Sequence, residues 1–461
     1  MKRLITGFLA AMILLGGLSF AWAERTFDVE PDAKLSYTYW GSAFEKEAQA
    51  KACEAFTELT GIPVDALHIP SAGDEYMTKL TAMTASGTNP DVGYMSASTA
   101  FVWAADGTFY NIFDLIDQDP TWSKESYIDN IFYMYDEGKS FGTTSSINPR
   151  AIFYNVECFE EAGVPLPPTD VEESWTWDEF VECAKKLTLD FDGKNATEEG
   201  FNPDRVMQYG AFINVEEAAL LATFFDSNEG DMLNVEGTAM AMSDPAVKEV
   251  LQAWYDLIYV HHVTPFPDFA NAPDGPTLLA NKQAAMILTG QWVLLDLARL
   301  EFEYGVGQLP VFKTPRNSID AGVRCIWSNT KYPKASWELY KFLANPEGAM
   351  SLYHDGLWMP TIREWYTDAA KYELWAVGNP AHPDGYKPVV ADSLFNGTAT
   401  PSWTLRIKNF AQLWAVMRPA LQQIWLDTKS VDDVVAEIEE AANPLVQGFN
   451  PDTYHTSYYH Q

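Results

Sequence analysis

The chain has 461 residues, with 30 Lys and Arg against 64 Asp and Glu, a formal charge of −34, 47% hydrophobic residues and four cysteines. At about 150 residues per domain this length suggests two to three domains, and so many apolar side chains exclude an intrinsically disordered chain. The charge argues against nucleic acid and anionic membrane surfaces, because no basic face is available for phosphates. What remains is an acidic, multi-lobed protein whose partner is a small molecule or another protein.

The first 23 residues have the layout of a cleaved export signal. Lys2 and Arg3 precede an apolar run from Leu4 to Phe20, and Ala21-Trp22-Ala23 gives a small-x-small cleavage site. The expected location is therefore periplasmic or otherwise extracytoplasmic. In that oxidising setting the four cysteines can pair, and Cys158 with Cys183, on consecutive predicted helices, is the more plausible bridge.

After the signal the pattern alternates between strands and helices. Leu35 to Trp40 reads as a strand ended by Gly41, and Ser42-Ala43-Phe44-Glu45 as a capping box opening a helix that runs to Leu59. Val64 to Ile69, a helix from Asp74 to Ser86, and a third strand from Asp91 to Met95 follow. Such a β-α-β-α-β order predicts parallel strands joined by right-handed crossovers. Ligands of open α/β sheets sit beyond the carboxyl ends of the strands, here Trp40-Gly41-Ser42, Ser71-Ala72-Gly73 and Ser96-Ala97-Ser98.

A second segment begins near Asn148, with a strand over Ala151–Tyr154 and a helix over Glu157–Ala162. Thr176-Trp177-Asp178-Glu179 is another capping box. Helices are expected over Pro245–Val260, Lys334–Ala344 and Val431–Ala442, and a strand over Ala284–Leu288. Enzyme motifs are missing: there is no G-x-S-x-G, H-E-x-x-H or Walker loop, and Pro310 interrupts the glycine pattern begun by Gly305-Val306-Gly307. Asp190-Phe191-Asp192-Gly193 reads as a turn rather than a calcium loop, because its glycine comes too early. The expectation is a non-enzyme with no metal and no cofactor. The abundance of acids leaves a secreted glycoside hydrolase as the rival of another class.

Several short pieces, in order along nearly the whole mature chain, resemble the family 1 extracellular solute-binding proteins of ABC transporters, the maltose-binding-protein-like group. They are Leu59-Thr60-Gly61-Ile62-Pro63-Val64, Asn89-Pro90-Asp91-Val92, Phe153-Tyr154-Asn155, Trp177-Asp178-Glu179-Phe180, Ala284-Ala285-Met286 with Gly290-Gln291-Trp292, Leu309-Pro310, Trp337-Glu338-Leu339 and Leu357-Trp358-Met359-Pro360. Two positions depart from the pattern: Asn281 stands where a glycine is usual, and Ala321-Gly322 replaces Gly-Gly.

The resemblance implies an α/β, two-lobed type II periplasmic binding fold. Each lobe would be an open, mostly parallel sheet flanked by helices, with the ligand in the interlobe cleft. Crossings near Asn148, Pro310 and Arg363 would divide the chain into one lobe of 24–147 plus 311–362 and another of 148–310 plus 363–461. It also implies a monomer that closes on a carbohydrate and delivers it to the permease subunits of an ABC importer. A polyol phosphate such as glycerol 3-phosphate is the rival ligand, held by Arg150, Arg324 or Arg363.

The candidate ligand-binding residues are Trp40, Ser42, Ser96, Ser98, Arg150, Trp292, Arg324, Trp358 and Trp414. Serine hydroxyls at strand ends and forked guanidinium groups suit sugar hydroxyls, and tryptophan faces suit the C–H face of a sugar ring. The resemblance places a stacking tryptophan at Trp292. Core packing is the alternative role for all four tryptophans.

Overall fold

In a computed structural model, residues 27–70, 74–129, 131–269 and 274–450 are described. The expected export signal and the Ser71-Ala72-Gly73 loop lie outside them. The strands are β1 (Leu35–Tyr39), β2 (Val64–His68), β3 (Val92–Met95), β4 (Phe132–Asp136), β5 (Lys139–Thr144), β6 (Arg150–Asn155) and β7 (Leu189–Asp190). The second half of the chain adds β8 (Val206–Ile213), β9 (Ala284–Gly290), β10 (Tyr304–Gly307), β11 (Asn317–Ile319), β12 (Val323–Ile326) and β13 (Ala399–Pro401).

Two sheets organise the molecule. The first has the order β2-β1-β3-β12-β5-β4, the second β10-β6-β9-β8-β7, and β11 pairs with β13 in a separate two-stranded ladder. β1 is parallel to both β2 and β3, as the β-α-β-α-β reading requires. β12, far along the chain, inserts antiparallel between β3 and β5. In the second sheet β8 and β9 are parallel, whereas β6 is antiparallel to β9.

Both faces of each sheet are covered, and β6 and β9 are accordingly apolar for most of their length. One core holds Tyr37, Phe56 and Phe342 beside the first sheet and continues through Trp358, Trp365 and Trp375 to Phe153 and Ile287 of the second. A second core, with Phe180, Phe224, Trp254, Leu413 and Trp425, backs the other face of the second sheet. A third, with Tyr76, Met95, Phe109, Phe141 and Trp327, backs the first.

Local signals in the sequence explain most helix boundaries. The helix Ala43–Thr60 starts at its Ser42 cap and stops at Gly61, which takes the left-handed conformation at φ 74°. At Thr176 both halves of the capping box form. The helices Pro245–Tyr259, Pro333–Ala344 and Val431–Ala442 match their expected spans to within a residue. Asp190 accepts backbone N–H groups from Asp192, Lys194 and Asn202 at 2.9–3.0 Å, which makes the Asp190–Gly193 segment a backbone turn.

The disulfide expectation needs correction. Cys158 and Cys183 are buried free thiols, as are Cys53 and Cys325. The Cys158 thiol points at Gln208 and donates to its Oε1 at 3.4 Å. Burial raises both thiols to about 12, which keeps them protonated and unreactive.

Candidate functional site

The carboxyl ends of β1 and β3 bring an aromatic cluster to one edge of the first sheet. Trp40 follows β1 and is half-buried, its ring edge-on to Tyr94 at 4.4 Å and to Tyr76 at 5.2 Å between centroids. A Cβ on Gly322 would lie 2.4 Å from the Trp40 ring, so the Ala321-Gly322 pair retains glycine where the tryptophan needs it. Tyr94 donates its hydroxyl to the Trp40 carbonyl at 2.9 Å and also to Glu45 Oε1.

That second contact breaks half of the first expected capping box. Ser42 Oγ accepts the Glu45 N–H at 3.2 Å, but the Glu45 carboxyl bonds to Tyr94. Gly41 permits this arrangement, because its φ is +129° and any Cβ there would fall 1.7 Å from Glu45 Oε2. Burial raises the Glu45 carboxyl to about 8, against the Tyr94 hydrogen bond, which lowers it, and with a further rise from the charge of Asp296.

The second sheet offers its own strand ends. β9 ends at Gly290, where a Cβ would fall 1.7 Å from the Trp292 ring, so glycine lets that ring fold over the strand end. Trp292 is half-buried, and the Arg150 guanidinium lies 5.4 Å from its centroid. Arg150 opens β6 and is only 3% exposed. It pairs with Glu217 at 2.9 Å and Asp320 at 2.6 Å, and donates to the carbonyls of Asn148 and Ser318 at 2.9 Å. Beside Trp292, buried Gln291 donates to Asn148 Oδ1 at 3.2 Å and to the Leu357 carbonyl at 2.9 Å, tying three distant chain segments together.

The two sheets meet across this region. Asp296, on the helix Leu294–Leu297 just after Trp292, has its carboxyl raised by burial, with the Ser42 hydroxyl near enough to oppose that rise. The Arg299 guanidinium covers the Phe44 ring at 4.9 Å. The arrangement therefore unites Trp40, Ser42, Trp292 and Arg150 with Glu45, Tyr94, Glu217, Asp296 and Asp320, the last five absent from the sequence-based candidates. Glu45 had been assigned wholly to helix capping, and the other four carry no local motif.

The remaining candidates sit differently. Ser96 immediately precedes the helix Ala97–Ala105, at the end of β3, and is half-buried. Ser98 lies in the first turn of that helix, and its side chain falls outside the described part of the structure. Trp358 is 4% exposed and edge-on to Tyr94 at 6.1 Å. Arg324, on β12, is 0% exposed, with its guanidinium 4.9 Å from the Trp358 centroid and 5.6 Å from that of Tyr340. Trp414 is half-buried, stacks on Phe410 at 5.8 Å and packs against the second core. Arg363 pairs at the surface with Asp129 at 2.7 Å. Among the described residues no group of three or more His, Cys, Asp or Glu side chains could hold a metal ion, and no helix is long and apolar enough to cross a membrane.

Known proteins share this architecture. The chain is similar to a putative binding protein of Brucella abortus (strain 2308), 21% identical over 410 residues that cover 87% of this chain and 89% of that one. It is also similar to UgpB of the same strain, an sn-glycerol-3-phosphate-binding periplasmic protein, 22% identical over 296 residues, or 60% of this chain and 63% of the relative. Among solved structures, an ABC substrate-binding protein from Listeria monocytogenes in complex with cycloalternan superposes with a TM-score of 0.72 at 18% identity, covering 90% of this chain and 98% of that one. That superposition makes the fold the two-lobed α/β one, each sheet the centre of a lobe. The family profile for bacterial extracellular solute-binding proteins matches residues 51–378. The chain belongs to that family.

Proposed function

We propose that the protein captures a carbohydrate in the cleft between its lobes and passes it to the permease of an ABC importer, acting as a monomer outside the cytoplasm. The observation that carries this reading is the pair of half-buried indoles, Trp40 and Trp292, each at a strand end of a different sheet. Around them stand Ser42, Asp296, Glu217 and Asp320. Stacking rings with hydroxyl and carboxylate acceptors suit the apolar face and hydroxyl rim of a sugar. The cyclic oligosaccharide bound by the Listeria protein supports the same class of ligand. Ser96 and, from its place in the sequence after β3, Ser98 are further proposed polar contacts, with Trp358 and Trp414 as further stacking candidates.

The likeness to UgpB keeps glycerol 3-phosphate as the second reading. Its cost is a phosphate-binding cation. Arg150 is already held by two carboxylates, Arg363 by Asp129, and Arg324 lies inside the lobe. Each guanidinium would have to leave its present surroundings to take a dianion.

For the hinge we propose crossings near Asn148, Pro310 and Arg363, supported by the β11–β13 ladder and the Asn148–Asp320 bridge beside it. A thermal-shift screen of mono- and oligosaccharides, polyols and their phosphates, followed by calorimetry, tests the ligand class. A sugar should raise the melting temperature and bind unhydrolysed. Stabilisation by glycerol 3-phosphate alone would replace the carbohydrate reading, and release of reducing ends would favour a hydrolase.

A further inference from the structure

One short helical turn has its side chains in the cores of both lobes. The helix Trp403–Arg406 follows β13, and at about 100° per residue Trp403 and Arg406 share one side of it while Leu405 faces away. Trp403 belongs to the core that backs the second sheet. Leu405, 2% exposed, belongs to the core that backs the first, with Tyr76, Met95, Ala97, Ala100 and Phe141. Among the described residues, every other buried side chain of that core comes from 69–141 or 323–327, around the first sheet. We propose that Leu405 is an interlobe latch: its burial in the first lobe favours the closed form and so sets the affinity for the solute through the closing equilibrium.

The turn that carries Leu405 is fixed to the second lobe. Arg406 pairs with Asp226 at 3.0 Å and Asp231 at 2.8 Å, and Asp226 lies on the buried helix Ala218–Ser227. Trp403 donates its indole N–H to Asp231 at 3.0 Å, and its ring lies 5.3 Å from that of Phe225. Asn450 donates its side-chain amide to the Leu405 carbonyl at 2.9 Å and its backbone N–H to the Arg406 carbonyl at 2.7 Å. With backbone and neighbours held in this way, Leu405 moves with the second lobe.

Its receptacle moves with the first. The helix Ala97–Ala105 starts at the carboxyl end of β3, the end that faces the cleft, and both Trp403–Arg406 and Phe410–Trp425 pack against it. Separation of the lobes therefore withdraws the leucine and brings two apolar surfaces into water, which opposes opening. A solute that binds the closed form binds more tightly in proportion to the fraction of protein already closed. Leu405 thus acts on affinity from inside a core, as a positioning residue rather than a ligand contact.

This inference deepens the proposed capture by lobe closure and rests on its hinge, but not on the identity of the solute, so the test contains no ligand. Small-angle scattering and thermal unfolding are measured on the full chain as wild type, Leu405→Ala and Leu413→Ala. Leu405→Ala should show a larger radius of gyration, its closing equilibrium lowered by about tenfold or more. Leu413 lies wholly within the second core, so Leu413→Ala should lower the melting temperature and leave the radius unchanged. Hydrogen exchange should quicken in 97–105 of Leu405→Ala and stay as in the wild type in 218–227. If Leu405→Ala fails to fold, Leu405→Val takes its place. A radius equal to that of the wild type, whether or not the melting temperature falls, overturns the latch and makes Leu405 an ordinary core residue. A sugar screen without a hit would remove the carbohydrate reading and leave the latch standing.

Discussion

The guanidinium of Arg150 lies over the indole of Trp292, 5.4 Å from its centroid, while its own charge is taken up by Glu217 and Asp320. Arg150 opens β6 and Trp292 follows β9, its antiparallel neighbour, with Arg150 in register with Gly290. The pair thus joins a hinge-side ion cluster to the ring proposed to stack on the sugar. A cation on one face of an indole fixes the ring's orientation and leaves the other face to a ligand.

Trp292→Ala should therefore weaken sugar binding at least tenfold, a loss of about 1.4 kcal/mol or more. The melting temperature without ligand should change little, because the ring is half-buried over the strand end rather than inside a core. A core tryptophan cut to alanine would instead cost about 3–5 kcal/mol of stability. Calorimetric titration and thermal unfolding of the same variant separate the two outcomes. A large drop in melting temperature with unchanged affinity would assign Trp292 to packing.

His382 should give stability an acid-side dependence. Its ring stacks on Tyr386 with centroids 3.6 Å apart, and burial lowers it to about 4, against the hydrogen bond that its Nδ1 donates to the Ala376 carbonyl, which raises it. A folded-state value below the unfolded one, about 6.5, contributes stability that is complete above the latter and is lost as pH falls through the former. The loss should amount to about 2 kcal/mol between pH 6.5 and 4, after allowing for the ring's partial exposure. Urea unfolding of wild type and His382→Phe across this range checks it: the variant should show a shallower decline.

Much of the fold was legible because it is written in local signals. Caps, glycine stops and apolar periods gave the helices Ala43–Thr60, Pro245–Tyr259 and Val431–Ala442, and the strand-helix rhythm gave β1, β2 and β3 as parallel neighbours. The insertion of β12 between β3 and β5 has no such signal, since it joins residues about 180–230 positions apart in sequence. The cleft divides in the same way. Trp40 and Trp292 announce themselves as large rings beside glycine at strand ends, whereas Glu217, Asp296 and Asp320 matter only through what folding places opposite them. Glu45 shows the limit of a motif: the spacing from Ser42 is that of a capping box, yet the neighbouring Tyr94 hydroxyl takes the carboxyl for itself.

Two buried arginines should respond very unequally to replacement. Arg150 is 3% exposed and Arg324 0% exposed, but their surroundings differ in charge. Arg150 holds two carboxylates, whereas Arg324 pairs with no carboxylate among the described residues: its Nη2 donates to the Ser145 carbonyl at 3.1 Å, while Nε and Nη1 have no hydrogen-bond partner. The rings of Trp358 and Tyr340 are its principal electrostatic company. Arg150→Met would strand Glu217 and Asp320 without their cation and should cost about 3–5 kcal/mol. Arg324→Met removes a charge that costs desolvation with little return, and methionine fills similar space flexibly. Its effect on stability should stay within about 1 kcal/mol in either direction. Urea unfolding of the two variants, free of ligand, makes the comparison. Equal and large losses would mean that Arg324 has an anionic partner in solution, and a loss at Arg324 that appears only in sugar titrations would place its charge in the service of the cleft above it.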